Sequence, residues 1–154
     1  MDSTGGRAQN PHALGGKVDY NPKGIEFGTA LIHLTRQAHS DPLFSELPVE
    51  VSFQVSHSQS ALELPPGAEL LAFNEVEPHH GFRYGDRVWG VQFHPEFDAD
   101  LMRRHLIAVA DRLRAAGKNV EALIRDCTES PHGSALLRQF ISIVRKCQDD
   151  AAAS

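Results

Sequence analysis

The hydrophobic period of this sequence changes once, at Phe97, and that change limits the folds that the chain can adopt. Before Phe97, apolar residues alternate with polar ones, most clearly in VEVSFQVSH (49–57), which predicts a strand covered on one side. After Phe97, apolar residues recur at helical spacing, as between Leu101 and Leu113. Strands followed by a helical C-terminal part predict an α/β or α+β domain, and the pattern alone does not separate the two.

Turn and cap residues divide the rest of the sequence into further elements. Strands are predicted at 17–20, 28–35 and 69–74, with a hairpin that turns at Gly85-Asp86. Helices are predicted from an Asp98 N-cap to Gly117, at about Val120–Cys127 and at about Pro131–Lys146. A short capped turn of helix is predicted at Asp41–Pro48.

Composition excludes several classes of protein. A length of 154 residues suffices for one domain, and the formal charge of −5 comes without a basic patch, so we expect no nucleic-acid partner. No apolar run approaches the roughly 20 residues that span a bilayer, and the first residues include no hydrophobic signal segment. We therefore expect a cytoplasmic protein with no membrane partner. The two cysteines, Cys127 and Cys147, fit no disulfide or metal pattern and are expected to be reduced.

The tripeptide His94-Pro95-Glu96 follows the last predicted strand and has the residue types of a proton relay. An imidazole takes and returns a proton near neutral pH, and a carboxylate bonded to its second nitrogen fixes the tautomer. Residues two apart at the end of a strand can converge on one side. A lone His-x-Glu pair also fits two surface groups, so these residues alone leave both interpretations open.

Four segments in register resemble class I glutamine amidotransferases, in particular the small members similar to GMP synthase. The segments are ALGGKVDYNPKGIEFGT (13–29), VSHSQSALELPPGAELLAFNE (55–75), FRYGDRVWGVQFHPEF (82–97) and SPHGSALLRQF (130–140). The resemblance implies a partial flavodoxin-like α/β domain with a β-rich middle and a helical C-terminus. This domain is expected at 13–148, between a disordered leader at 1–12 and a tail at 149–154. No cofactor is expected.

The resemblance also implies roles for individual residues. In that family a cysteine thiolate attacks the side-chain amide of glutamine, releases ammonia and leaves a glutamyl thioester that water hydrolyses. His94 matches the base that activates the thiol, and Glu96 matches the residue that orients the base. His57, Glu26 and Gly28 match positions that shape the substrate pocket. Glutamine is the ligand that the resemblance implies, and a synthetase that accepts ammonia is the implied partner.

The nucleophile that the resemblance requires is missing from these segments. The family's G-x-C-x-G turn precedes the ALGG segment and falls near Thr4, whose hydroxyl is a far weaker nucleophile than a thiolate. Cys127 and Cys147 lack the flanking glycines of such a turn. We therefore expect an N-terminally truncated domain that retains the His-Glu part of the triad. Because loss of the nucleophile costs on the order of a millionfold in turnover, the chain is expected to be inactive alone.

Two other functions are compatible with the sequence. The fold can serve as a non-catalytic binding module, and nine histidines raise the question of a metal site near His79-His80. No His-x-x-x-His or Cys-x-x-Cys spacing supports that site, and adjacent histidines on a strand point apart, so no metal is expected. A sheet without its central parallel strand exposes an unpaired edge, which predicts marginal stability or self-association.

Overall fold

The computed structural model of the chain describes residues 14–152. The strands are β1 (Lys17–Tyr20), β2 (Glu26–Leu34), β3 (Glu50–His57), β4 (Gln59–Glu63), β5 (Glu69–Phe73), β6 (Gly81–Tyr84), β7 (Val88–Val91) and β8 (Phe93–His94). The helices are a 3-10 turn (Gln37–Ser40), α1 (Ala99–Ala108), α2 (Ala110–Ala115), α3 (Val120–Arg125) and α4 (His132–Ala152). The chain is a mixed α/β domain, and the predicted strands and hairpin are confirmed.

The main sheet has six antiparallel strands in the order β7-β6-β5-β2-β3-β8, and β1 pairs with β4 in a separate two-stranded sheet. Its longest ladder joins β2 and β3, from Glu26 opposite His57 to His33 opposite Glu50. Because side chains alternate along a strand, this regular register fixes which residues of β2 and β3 share a face. This alternation distributes the residues that the sequence predicts for the site over both faces.

Each face of the sheet is covered by its own hydrophobic core. The first core packs Phe53 and Phe93 against Leu136 of α4. The rings of Phe53 and Phe93 stack with centroids 4.0 Å apart. The second core packs Phe27 of β2 against α1–α3, with Met102 and Leu106 fully buried. The sheet is therefore the middle layer of a three-layer arrangement.

The prediction that β3 is covered on one side only is wrong. Val51, Phe53 and Val55 are buried as expected, but Gln54 on the opposite face is also fully buried, and Val49 is 60% exposed. The alternation of polar and apolar residues does not distinguish a polar side chain in water from one that is buried with hydrogen-bond partners, as Gln54 is.

The helical region after Phe97 begins as predicted, but its buried residues coincide only in part with those at the predicted spacing. Asp98 caps α1, since its Oδ1 accepts a hydrogen bond from the Leu101 amide at 2.7 Å. Leu101, one of the residues at the predicted helical spacing, is 43% exposed, whereas Met102 is fully buried. The predicted single helix is interrupted at Val109, which separates α1 from α2. Helical periodicity predicts that one face of the helix is apolar, but the packing of the helix on the sheet decides which residues are buried.

The segment at 41–48 forms consecutive turns rather than the predicted turn of helix. Asp41 nevertheless acts as a cap, because its Oδ1 accepts hydrogen bonds from the amides of Leu43 at 2.8 Å and Phe44 at 3.1 Å. The indole of Trp89 donates to the same carboxylate at 3.2 Å. The carboxylate thus organises a buried corner in which Leu43 and Phe44 enter the first core.

The last helix, α4, is longer than predicted and continues through 149–152, which were assigned to the tail. Leu136 is buried, but the other members of its apolar face are between 37% and 48% exposed: Leu137, Phe140, Ile141 and Val144. The expected leader at 1–12 lies outside the described residues. Within residues 14–152, none of the helices has the length and apolar character needed to cross a membrane.

Candidate active site

His94 and Glu96 lie together at the end of the short edge strand β8, where His94 pairs with Gln54 of β3. His94 Nδ1 is 3.0 Å from Glu96 Oε1, and the two side chains are 18% and 37% exposed. The Phe97 amide donates to the His94 carbonyl at 3.2 Å, which closes a turn around Pro95. The segment 94–96 is called the His-Pro-Glu loop below. Its geometry brings the two predicted residues into contact.

The first turn of α4 lies directly against the His-Pro-Glu loop. Gly133 is buried, and a Cβ added there would lie 2.2 Å from the carbonyl oxygen of Pro95. Ser130 Oγ donates to the carbonyl of Phe97 at 3.1 Å. Glycine at 133 therefore permits a helix-to-backbone approach that any larger residue would prevent. In the sequence, the SPHG segment was only part of the resemblance to the family. The structure shows that this segment contacts the His-Pro-Glu loop.

A second histidine, His105 of α1, lies on the same side of the sheet as His94. The Phe97 ring is next to both, with centroid distances of 4.4 Å to His94 and 5.9 Å to His105. His105 Nε2 is 2.7 Å from Ser56 Oγ. Burial lowers the pKa of His105, and positive charge at His94 and Arg112 lowers it further. The sequence indicated only that His105 belongs to a helix face.

A closed set of hydrogen bonds ties this side of β2 and β3 to the segment after α3. Thr29 Oγ1 donates to Gln54 Oε1 at 3.0 Å, and Gln54 Nε2 donates to the Thr128 carbonyl at 2.8 Å. The Thr128 amide donates to Thr29 Oγ1 at 3.0 Å. Because Gln54 is the register partner of His94, this triangle supports the strand that carries the imidazole.

Glu26 and His57, both predicted to shape a substrate pocket, lie in contact within a buried cluster. Glu26 Oε2 is 3.2 Å from His57 Nε2 and 3.0 Å from His80 Nε2. Asn74 Nδ2 donates to Glu26 Oε1 at 2.6 Å. Burial by itself raises the pKa of Glu26, but the polar contacts with His57, His80 and Asn74 and the charge of His80 outweigh it, so the pKa falls well below its usual range.

The buried cluster and the His94–Glu96 pair lie on opposite faces of the sheet. Glu26 and His57 are register partners on the face of the first core, where His80 lies 6.4 Å from the Phe93 ring. His94 follows Phe93 in β8 and therefore faces the other way. The predicted pocket role of Glu26 and His57 stays a prediction, and the structure separates these two residues from His94 by the sheet itself.

Gly28, the third predicted pocket residue, has a backbone conformation that favours glycine. Its φ is +100°, and a Cβ added there would lie 3.7 Å from Leu123 of α3. It therefore allows β2 to continue past α3 in a conformation that an L side chain would strain. Its predicted pocket role is not tested by this geometry.

The described cysteines have the features of structural thiols. Cys127 is buried in the second core, and its Sγ donates to the Leu123 carbonyl at 3.3 Å. Burial raises the pKa of the Cys127 thiol, which disfavours the thiolate that a nucleophile requires. Cys147 lies within α4 and is also a free thiol. Thr4 lies outside the described residues.

The fold and the site define a mixed α/β domain with a His-Glu pair at the end of a sheet strand. The family model for class I glutamine amidotransferases matches residues 11–110, more than half of the chain. The chain therefore belongs to the class I glutamine amidotransferase family. This confirms the resemblance that the sequence motifs suggested, and it does not favour the alternative of a non-catalytic binding module.

Curated relatives match over part of their length. A glutamine-hydrolyzing GMP synthase of Staphylococcus carnosus is 36% identical over 104 residues, which cover 64% of this chain and 19% of the relative. Another from Thermosipho africanus is 40% identical over 86 residues, covering 55% of this chain and 16% of the relative. The chain thus spans less than a fifth of the length of these two relatives.

Solved structures match over most of this chain. A glutamine amidotransferase from Thermotoga maritima superposes with a TM-score of 0.70 at 26% identity and covers 85% of this chain and 55% of its own. A putative GMP synthase subunit from Thermoplasma acidophilum has a TM-score of 0.67 at 20% identity, covering 92% of this chain and 55% of its own. The second likeness concerns the fold alone.

Proposed function

We propose that this chain supplies the proton relay for glutamine hydrolysis in a class I amidotransferase, with His94 as the base and Glu96 as the residue that orients it. The observation that carries the proposal is the 3.0 Å contact between His94 Nδ1 and Glu96 Oε1. A carboxylate at Nδ1 favours the tautomer that is protonated there, which makes Nε2 the basic nitrogen. His94 then takes the proton of a thiol and returns it to the leaving amine, so that ammonia departs and a thioester remains.

The same proposal holds that these 154 residues do not hydrolyse glutamine by themselves. The buried position and the raised pKa of Cys127 support its assignment as a structural thiol of the core. Neither Cys127 nor Cys147 lies in a G-x-C-x-G turn. The relay therefore requires a thiolate from a polypeptide segment outside this sequence. Without one, glutamine hydrolysis remains at background, because a relay enzyme that lacks its nucleophile loses on the order of a millionfold in turnover.

The matched relatives suggest the substrate and the partner. Their names specify GMP synthase that hydrolyses glutamine. We propose glutamine as the substrate and a synthetase of the GMP synthase kind as the acceptor of ammonia. Glu26, His57 and Gly28 support the pocket from the sheet rather than through contact with His94.

A chimera tests the relay directly. The nucleophile-bearing segment of the Thermotoga maritima amidotransferase is fused ahead of residue 14, since that protein shares the fold over 85% of this chain. Ammonia release from glutamine is measured for the isolated chain, the chimera and its variants. We expect background release from the isolated chain, release from the chimera, and a loss to background in the chimera with His94→Ala. Glu96→Gln should reduce the rate on the order of 10⁴-fold.

A matched control distinguishes loss of the proton relay from damage to the fold. His33→Gln in the chimera changes another histidine of the sheet, one that is paired with the exposed Glu50 at 3.3 Å, and should leave the rate unchanged. A folded chimera without activity, or one whose activity survives His94→Ala, contradicts the assignment of the base. Ammonia release by the isolated chain that depends on His94 contradicts the need for an outside thiolate.

A further inference from the structure

The buried cluster on the first-core face contains residue types that bind transition metals. Glu26 lies in β2, His57 in β3 and His80 just before β6, so the three come from separate segments of the chain. Their side chains are 12%, 6% and 0% exposed. Glu77, in the loop between β5 and β6, is also fully buried beside His57. The cluster and the His94–Glu96 pair lie on opposite faces of the sheet.

The cluster contains one hydrogen bond, between His57 Nε2 and Glu26 Oε2, and its distances also match those of ligands around a shared ion. His80 Nε2 is 3.0 Å from Glu26 Oε2, yet this contact lacks the geometry of a hydrogen bond. His57 Nε2 is 3.2 Å from the same oxygen, and the three ligand atoms lie within 4.8 Å of one another. Nitrogen and oxygen ligands at about 2.0–2.2 Å from a tetrahedral ion are separated by roughly 3.3 Å. The two distances from the histidine nitrogens to Glu26 Oε2 fall close to this value.

Several polar atoms of the cluster are buried without a hydrogen-bond partner. In the part of the chain that the structure describes, His57 Nδ1, both ring nitrogens of His80 and Glu77 Oε2 are buried without a hydrogen-bond partner. The ion pairs of Glu26 and Glu77 in residues 14–152 are with histidines rather than with Lys or Arg. Buried charges and polar groups without partners are unfavourable unless they are paired or coordinate a metal.

We propose that Glu26, His57 and His80 bind a divalent transition-metal ion, through Glu26 Oε2 and the Nε2 atoms of both histidines. Two imidazoles and one carboxylate form a ligand set that suits Zn²⁺, with one position left for water. The ion joins β2, β3 and the loop that leads into β6, so it stabilises the sheet. It lies on the face opposite His94 and takes no part in the proton relay.

Glu77 completes the site as a supporting residue. Its Oε2 is 3.9 Å from His57 Nδ1, the ring nitrogen that faces away from Glu26. Histidines that bind metals commonly donate their second N–H to a carboxylate, which fixes the tautomer and the ring orientation. The Glu77 amide donates to Asn74 Oδ1 at 2.7 Å, and Asn74 also binds Glu26 at 2.6 Å. One asparagine thus holds the carboxylate of Glu26 and the backbone of Glu77.

Metal titration of the full chain, stripped of metal with a chelator, tests the site. Zn²⁺ binding is measured by isothermal titration calorimetry, and Co²⁺ binding is followed by its visible absorption. We expect one ion per chain, a melting temperature that rises with Zn²⁺ and falls again with chelator, and no comparable effect of Mg²⁺, which prefers oxygen ligands. The Co²⁺ spectrum should lack a thiolate charge-transfer band, since no cysteine is among the ligands.

Variants assign the ion to these residues. His80→Gln should weaken Zn²⁺ binding by more than about 100-fold, and Glu77→Gln by about 10–100-fold. His33→Gln, on β2 outside the cluster, should leave the affinity unchanged. If His80→Gln does not fold, the imidazole NMR signals of the unmodified chain still show which histidines bind the ion. Only the signals of His57 and His80 should shift when Zn²⁺ is added. The proposal is overturned if Zn²⁺ does not bind stoichiometrically or if a folded His80→Gln variant binds it with equal affinity. It is also overturned by a thiolate band in the Co²⁺ spectrum, or by NMR shifts confined to other histidines.

Discussion

Replacing Gly133 with alanine tests whether the first turn of α4 holds the His-Pro-Glu loop. An added Cβ would lie 2.2 Å from the Pro95 carbonyl oxygen and 3.1 Å from its carbonyl carbon. Separations below 3.0 Å essentially do not occur for a Cβ, so helix and loop must move apart by at least about 0.8 Å. The atom in the way belongs to the backbone, which cannot rotate aside as a flexible side chain would. Overpacking of this kind costs about 1–3 kcal/mol.

The test is informative because the close contact reverses the expected sign of the change in the free energy of unfolding. In a helix without a close neighbour, Gly→Ala stabilises by up to about 1 kcal/mol. We expect Gly133→Ala instead to lower the free energy of unfolding by about 1–3 kcal/mol, measured by urea denaturation, and to shift the His94 imidazole NMR signals. Ser134→Ala, at the next and exposed position of α4, is the matched control and should be neutral or slightly stabilising. A Gly133→Ala variant that is more stable than the original chain refutes the contact.

Three further predictions concern the face of the sheet that carries His94. Gln54→Leu keeps the volume but removes the 2.8 Å donor to the Thr128 carbonyl, so the free energy of unfolding in urea should fall by about 1–3 kcal/mol; an unchanged midpoint contradicts this. Because the pKa of His105 is lowered in the folded chain, the unfolded chain binds that proton at higher pH. The free energy of unfolding should therefore decrease as the pH falls below about 6.5 and then level off beneath the lowered pKa. His105→Gln should reduce that slope, and an identical pH profile argues against the assignment. Asp98→Ala should cost about 1 kcal/mol through loss of the α1 cap, whereas Asp100→Ala, which keeps the cap, should cost less by thermal denaturation; equal losses contradict the capping role.

Local rules predicted the parts of this fold that local forces determine. The alternation in β2 and β3, the Asp98 cap and the turn at Gly85-Asp86 each follow from a few neighbouring residues, and each is present. The same holds for the contact between His94 and Glu96, which are two positions apart. Predictions that depend on the position of an element distant in the sequence were less accurate.

Three differences illustrate the missing long-range information. Leu101 and Met102 are adjacent, and only the packing of α1 on the sheet decides that Met102 is the buried one. The apolar face of α4 was apparent in the sequence, but periodicity does not state what covers it. Glu26, His57 and His80 are far apart along the chain, so spacing rules for metal ligands within one segment did not detect their meeting.

Because β8 has only two residues, the packing of Phe93 on one face of the sheet is coupled to the orientation of His94 on the other. Phe93 packs on Phe53 at a centroid distance of 4.0 Å, and the next residue, His94, carries the imidazole on the other side. A strand of two residues has no additional ladder that could absorb a displacement, so a change of ring size or tilt at Phe93 rotates the backbone of His94 as well. Aromatic packing deep in the first core therefore influences the orientation of the His94 imidazole from a distance, and substitutions in that core can change the contact between His94 and Glu96.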